Sequence, residues 1–179
     1  MKTMHRVLAV GLTVSVFCVG NVARGQEPSG TSELFREHEF SLDLFGTGSV
    51  GQQTIDHISG DRIRHDGRLG AGAGVNCFFT RLLGLGADAY TENTAHHFVD
   101  SAALNLILRY PIGQSGFAPY IFGGGTRQFD EVRQWAGDAG GGFEFRFQRH
   151  FALFVDARYV LADKTDNYGV GRAGFRFSF

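Results

Sequence analysis

A two-residue alternation, apolar against polar-or-small, runs through eight segments of roughly ten residues between residue 37 and the C-terminal Phe179. Successive side chains of a strand point to opposite faces, so the pattern predicts strands with two unlike sides. The segments fall near 38–46, 67–77, 82–92, 98–110, 117–126, 133–147, 151–162 and 169–179. In the first, Phe40, Leu42 and Leu44 oppose Ser41 and Asp43; in the second, Leu69, Ala71, Ala73 and Val75 oppose Gly70, Gly72, Gly74 and Asn76. The sixth is the clearest, with Trp135, Phe143, Phe145 and Phe147 on one face and Asp138, Gly140, Gly142, Glu144 and Arg146 on the other. Gly123, Gly124 and Gly125 blur the faces of the fifth.

Two closed forms satisfy this alternation. A soluble sandwich or barrel turns its polar face to water, whereas a membrane barrel turns it inward. The character of the faces decides. Gly, Ala and charges of both signs crowd the polar side, which suits a narrow interior where side chains must fit and pair; Leu, Val and Phe suit a lipid-facing band. The expected fold is therefore all-β, an eight-stranded antiparallel up-and-down transmembrane β-barrel over residues 37–179. Short connections at 78–81, 111–116 and 148–150 alternate with longer ones at 47–66, 91–97, 126–132 and 163–168. Outer-membrane barrels keep short turns in the periplasm, and an even strand count puts both termini there too.

Composition closes off other classes. Seventeen Lys+Arg against 18 Asp+Glu leave no basic surplus for nucleic acid. No internal stretch approaches the ~20 apolar residues of a membrane helix. The beginning of the chain reads as an export signal: Lys2, His5 and Arg6 precede an uncharged apolar run over 7–19, and Ala23-Arg24-Gly25 supplies small residues for cleavage. Residues 1–25 are expected to be a Sec-type signal peptide cut near Gly25, and 26–36 a polar periplasmic leader with a short helical turn over 32–36. Losing Lys2, Arg6 and Arg24 leaves 14 basic against 18 acidic residues.

Parity assigns ten charged residues to the interior: Asp43, Asp88, Asp138, Glu144 and Asp156 against Arg109, Arg146, Arg158, Arg172 and Arg176. Five acids and five arginines in a poorly hydrated lumen are expected to pair, because an unpaired buried charge is expensive. Eight strands leave an interior that side chains fill, so the lumen reads as plugged, with a narrow pore as the alternative.

The chain end is the most specific motif. Arg172-Ala173-Gly174-Phe175-Arg176-Phe177-Ser178-Phe179 places Gly174 and the aromatics Phe175, Phe177 and Phe179 at the spacing of the signal by which the outer-membrane assembly machinery recognises a last strand. With the tract Ala118-Pro119-Tyr120-Ile121-Phe122-Gly123-Gly124-Gly125, the region 37–179 resembles the small eight-stranded outer-membrane β-barrels of the OmpA/OmpX type. The resemblance implies residence in outer-membrane lipid, delivery by periplasmic chaperones and the assembly machinery, a monomer and no cofactor. No peptidoglycan-binding domain follows the barrel, so cell-wall anchoring is not expected.

Some eight-stranded barrels are lipid A enzymes. His57-Ile58-Ser59 is similar to the His-x-Ser of lipid A deacylases but lies early in the chain; Asp100-Ser101 with His57 or His65 resembles the palmitoyltransferase barrel in order. A charged lumen supplies no apolar acyl slot, so no catalytic residue is assigned. His57, His65, His96 and His97 lie at the expected outer rim without a ligand pattern of metal-binding spacing, and no metal site is assigned. The expected role is structural or surface-interacting, with recognition on the first external loop, 47–66, which carries Asp56, His57, Asp61, Arg62, Arg64, His65 and Asp66. The alternative is a lipid A-modifying enzyme, an acyltransferase or deacylase.

Overall fold

The computed structural model describes residues 34–55, 62–65, 67–92, 99–113, 115–129 and 133–179. Eight long strands build one closed antiparallel barrel: β1 (Glu39–Val50), β4 (Arg68–Phe78), β5 (Leu83–Thr91), β6 (Ser101–Arg109), β7 (Phe117–Gln128), β8 (Gln134–Gln148), β9 (Phe151–Ala162) and β10 (Tyr168–Ser178). Each pairs with its neighbours in sequence, and β1 pairs with β10 to close the ring. Beyond the seam, Phe179 N donates to Phe40 O at 2.8 Å, so the last residue is tied to the first strand. Closure leaves no strand edge unpaired, a requirement in hydrocarbon, where no water satisfies an exposed peptide group.

Within each strand, burial alternates as the sequence pattern predicts. In β1, Ser41, Asp43, Phe45, Thr47 and Ser49 are buried, while Phe40, Leu42, Leu44 and Val50 are exposed on the outer wall. The outer wall also carries Leu104, Leu106, Leu108, Ile121, Phe143, Leu153, Val155 and Phe175. An apolar exterior over a charged interior inverts the arrangement of a soluble protein and matches a barrel solvated by lipid.

Small inward residues make room for large ones. A Cβ on Gly72 would stand 2.6 Å from the Phe45 ring, one on Gly140 2.5 Å from the Phe122 ring, and one on Gly84 2.7 Å from the Phe78 ring. The glycines of the polar face therefore receive inward aromatic rings from neighbouring strands. Gly137, on the outer wall, would meet nothing.

Several boundaries differ from the sequence reading, among them that of β6, which begins at Ser101 and not near residue 98. β1 runs on to Val50, so Thr47 and Ser49 belong to the wall and not to the first loop. Above them, β2 (Gln52–Ile55) and β3 (Arg62–His65) form a separate two-stranded ribbon where an irregular loop was expected. β7 extends to Gln128, and β10 begins at Tyr168. At β1, β7 and β10 the ladder with a neighbouring strand continues past the point where the apolar alternation fades, because backbone pairing does not require apolar side chains.

At the end where β1 begins and β10 ends, Thr80 caps the β4–β5 turn by accepting hydrogen bonds from the Leu82 and Leu83 amides at 3.2 and 2.9 Å. Arg149 and His150 form the turn between β8 and β9. The connection over 110–116 is longer than those over 129–133 and 163–167 at the opposite end, so loop length separates the two ends less cleanly than expected.

Candidate functional site

The lumen is filled by two ion-pair clusters, one above the other. The lower cluster gathers β1, β6, β8 and β10. Arg146 donates to Glu39 through Nη2 at 2.6 Å and Nη1 at 2.7 Å, and to Glu144 through Nε at 2.5 Å. Arg109 Nη1 reaches Glu39 at 2.9 Å and Glu144 at 3.6 Å. Arg176 links this group to Asp43, giving Nη1 to Glu144 and both Nε and Nη2 to the Asp43 carboxylate, each at 2.7 Å. Asn76 Nδ2 adds a hydrogen bond to Asp43 Oδ2 at 2.9 Å. Three carboxylates thus face three guanidinium groups, and the cluster is neutral.

The upper cluster is held by β5, β8, β9 and β10. Arg172 clasps Asp156 with Nε at 2.7 Å and Nη2 at 2.9 Å, and reaches Asp88 at 3.0 Å. Arg158 Nη2 donates to the same Asp88 oxygen at 2.6 Å and stands 4.0 Å from Asp138. Here three carboxylates meet two arginines. One carboxylate is in excess, and hydroxyls satisfy acceptor oxygens that the arginines leave over: Tyr120 donates to Asp156 at 2.6 Å, and Thr126 makes a short hydrogen bond to Asp138.

All ten sequence-assigned charges point inward and fall into these two groups. Sequence reasoning missed Glu39, the acid that binds both Arg109 and Arg146, although it shares the parity of Ser41 and Asp43. With Glu39 the clusters hold six acids against five arginines. Also missed were the inward aromatics that wall off the guanidinium groups. Arg109 lies 3.7 Å over the Phe78 ring, Arg172 about midway between Phe45 and Phe122, and Arg176 5.1 Å from Phe154. Rings at these distances attract the cations and exclude water, which strengthens each ion pair and raises the cost of breaking it.

Between the clusters lies a cavity of about 20 Å³ bordered by Asp43, Asn76, Asp88, Asn105, Arg172 and Arg176. That is room for about one water molecule. Asn105 Oδ1 and Asp88 Oδ1 are buried there without a protein partner.

Above the upper cluster the interior turns from charges to amides and phenols. Gln128 Nε2 donates to Tyr168 at 2.5 Å, and Gln134 Nε2 donates to Gln128 at 2.6 Å and Thr165 at 2.9 Å. Glu92, just past β5, accepts from Ser49 Oγ at 2.9 Å and Thr47 Oγ1 at 3.4 Å. Burial nevertheless pushes its carboxyl above the ordinary range, the hydrogen bonds offsetting only part of the desolvation.

Of the residues weighed for lipid A chemistry, Asp100 and Ser101 are described. Asp100 is buried and spends one carboxylate oxygen closing the β5–β6 connection, accepting from Glu92 N at 2.6 Å and Thr91 Oγ1 at 3.4 Å. Ser101 is a lumen-facing residue at the start of β6. His57, Ser59, His96 and His97 lie outside the described residues, as do Asp56, Asp61 and Asp66; Arg62, Arg64 and His65 are placed only as backbone of β3. Among the described residues, no three His, Cys, Asp or Glu side chains stand in metal-binding geometry.

Of the chain-end motif, Phe175 and Phe179 are exposed on the outer wall, and Gly174 faces inward beside Phe45. Phe151 joins the rings of Phe175 and Phe177 at 5.6 and 5.4 Å, and contacts Phe147 at 6.1 Å. These aromatics form a cluster across β8, β9 and β10.

No family model matches the sequence, and no curated protein is similar to it. Solved structures are. The N-terminal β-barrel domain of Pseudomonas aeruginosa OprF superposes with a TM-score of 0.60 at 16% identity, covering 80% of this chain and 99% of that one. A de novo designed transmembrane β-barrel gives 0.56 at 12% identity over 80% and 98%. Neisserial surface protein A gives 0.50 at 13% identity over 80% and 100%. With its closed ring, apolar exterior and charged interior, the chain has the fold of the small eight-stranded outer-membrane β-barrels.

Proposed function

We propose that this chain is an outer-membrane barrel with a structural or surface-interacting role, its lumen plugged by ion pairs. The observation that carries the reading is the gathering of six acids and five arginines into two ion-pair clusters that border a cavity with room for about one water. Among the described residues, a lumen so filled offers neither an aqueous path nor an apolar slot for an acyl chain, which directs function toward the outer surface. Residues 1–25 then act as a signal peptide cleaved near Gly25, periplasmic chaperones deliver the chain, and the terminal Gly174, Phe175, Phe177 and Phe179 engage the assembly machinery. The termini face the periplasm and the β2–β3 ribbon faces outward. The chain works as a monomer without a cofactor, and the surface character of the Neisserial protein is the kind of role this reading assigns.

The experiment that tests it is an assay of the detergent-purified, heat-modifiable protein on radiolabelled lipopolysaccharide with phospholipid. Unchanged lipid A is the expected result. Gain or loss of an acyl chain would replace this reading with the enzymatic one.

A further inference from the structure

At the end where β1 begins and β10 ends, residues 34–38 are packed under the mouth of the lumen. Phe35 is only 3% exposed. Its ring sits between two guanidinium groups of the lower cluster, 4.8 Å from Arg109 and 4.4 Å from Arg146. Arg109 is thereby enclosed by Phe35 on one side and Phe78 on the other. Leu34 O accepts from Arg146 Nη1 at 2.6 Å, and Arg36 N donates to Glu39 Oε2 at 3.4 Å. Each contact is made to a residue that the ion pairs of the lower cluster already use.

The attachment differs in kind from that of the barrel wall. Residues 34–38 contribute no rung to any ladder, whereas β1 begins at Glu39 and is paired on both sides. Between the two, His38 adopts φ 53°, a left-handed conformation that a residue with a Cβ seldom takes. Rotation at His38 would withdraw Phe35 without breaking one strand-to-strand hydrogen bond. Such a segment opens at lower cost than the wall it covers.

We propose that residues 34–38 form a hinged stopper, with Phe35 as the bung, that seals the terminal mouth of the lumen and releases without unfolding the barrel. Docked, it keeps water from Glu39, Arg109 and Arg146. Released, it exposes both guanidinium groups and lets water and small ions reach the lower cluster. The inference rests on the plugged reading and adds to it the part of the plug that moves.

Two measurements on the mature chain in lipid test it. By NMR in lipid nanodiscs, the side-chain Nε–H protons of Arg109 and Arg146 are expected to exchange with water about tenfold faster in Phe35→Ala than in the unaltered protein, the shift expected from losing two cation–π contacts. Phe35→Leu, which keeps the apolar bulk, is expected to fall between. Equal exchange in the unaltered protein and a folded Phe35→Ala variant would overturn the stopper while leaving the plug intact; large steady channels from the unaltered protein in planar bilayers would overturn the plug itself. Hydrogen exchange on the unaltered protein needs no variant to fold. Amides of 34–38 are expected to be protected, yet to exchange through an opening insensitive to denaturant, while β1 amides follow global unfolding. Exchange at unprotected rates, or only with global unfolding, would each overturn the proposal.

Discussion

Arg176 of β10 and Asp43 of β1 stand directly opposite each other across the seam that closes the barrel, and the guanidinium group grips the carboxylate through two hydrogen bonds of 2.7 Å. Closing the ring therefore completes an ion pair as well as a ladder. Two parallel charge-assisted bonds fix orientation as well as distance, so the pair is matched to one register of the seam. A slip by one residue would turn one of the two side chains to the lipid.

Replacing Arg176 with Ala leaves Asp43 buried with Asn76 as its remaining partner. The expected loss is about 3–5 kcal/mol, and Asp43→Ala should cost a similar amount. The double variant is expected to lose less than the two single losses combined, by roughly 0.5–3 kcal/mol. Urea unfolding midpoints of the refolded barrel in lipid measure all four states. Strict additivity would show that the two side chains do not act as a unit.

Inward and outward glycines should respond oppositely to a methyl group. A Cβ on Gly124 would collide with the Leu104 carbonyl and the Asn105 backbone, whereas one on Gly137 has open space. Gly124→Ala is expected to destabilise by about 1–3 kcal/mol or prevent closure, and Gly137→Ala to stay within about 0.5 kcal/mol. Heat-modifiability on a denaturing gel reads both. Equal tolerance would mean that the inward glycines are not required by packing.

The alternation made the strand count, the two faces and the ten inward charges legible, because side-chain parity is a local property of the chain. Which charge meets which is not local. Asp43 and Arg176 are separated by most of the barrel, and their contact depends on a register that the sequence pattern does not encode. Glu39 was legible in principle, two residues before Ser41, but it lies where the apolar alternation starts and was not counted as inward. Phe45, Phe122 and Phe154 were harder to assign, since an aromatic on the inner face of a charged lumen makes sense only once Gly72 and Gly140 are seen to receive two of the rings. Phe35 lies before the first strand, in a segment with no periodicity to place it.

Glu92 should make stability depend on pH. Burial raises its carboxyl pKa in the folded barrel above the unfolded value. Its contribution is therefore fully favourable below the ordinary carboxylate pKa and is lost as pH rises through the elevated folded value. Glu92→Gln removes that loss, so the unfolding midpoint of the variant relative to the unaltered protein is expected to improve from pH 4 to pH 8. A difference that is constant or shrinks over this range would contradict the assignment.

The β2–β3 ribbon, a sheet of its own, is expected to be separable from the barrel. Gly67 N donates to Ser49 O at 2.9 Å, which closes the neck between β1 and β4 below the ribbon. Replacing residues 51–67 with a short Gly-Ser turn is expected to leave heat-modifiable folding intact and to abolish surface binding on intact cells. The replacement must spare Thr47 and Ser49, whose hydroxyls donate to Glu92. Binding that survives this replacement but is lost on altering the lumen charges would move the function inside.

The most direct test of the plugged lumen is the conductance of the purified, refolded chain in planar bilayers at neutral pH. Two paired clusters around a cavity of about 20 Å³ leave no continuous path for hydrated ions, so a closed baseline without sustained channels is expected. Large, stable conductance from the unaltered protein would contradict the account.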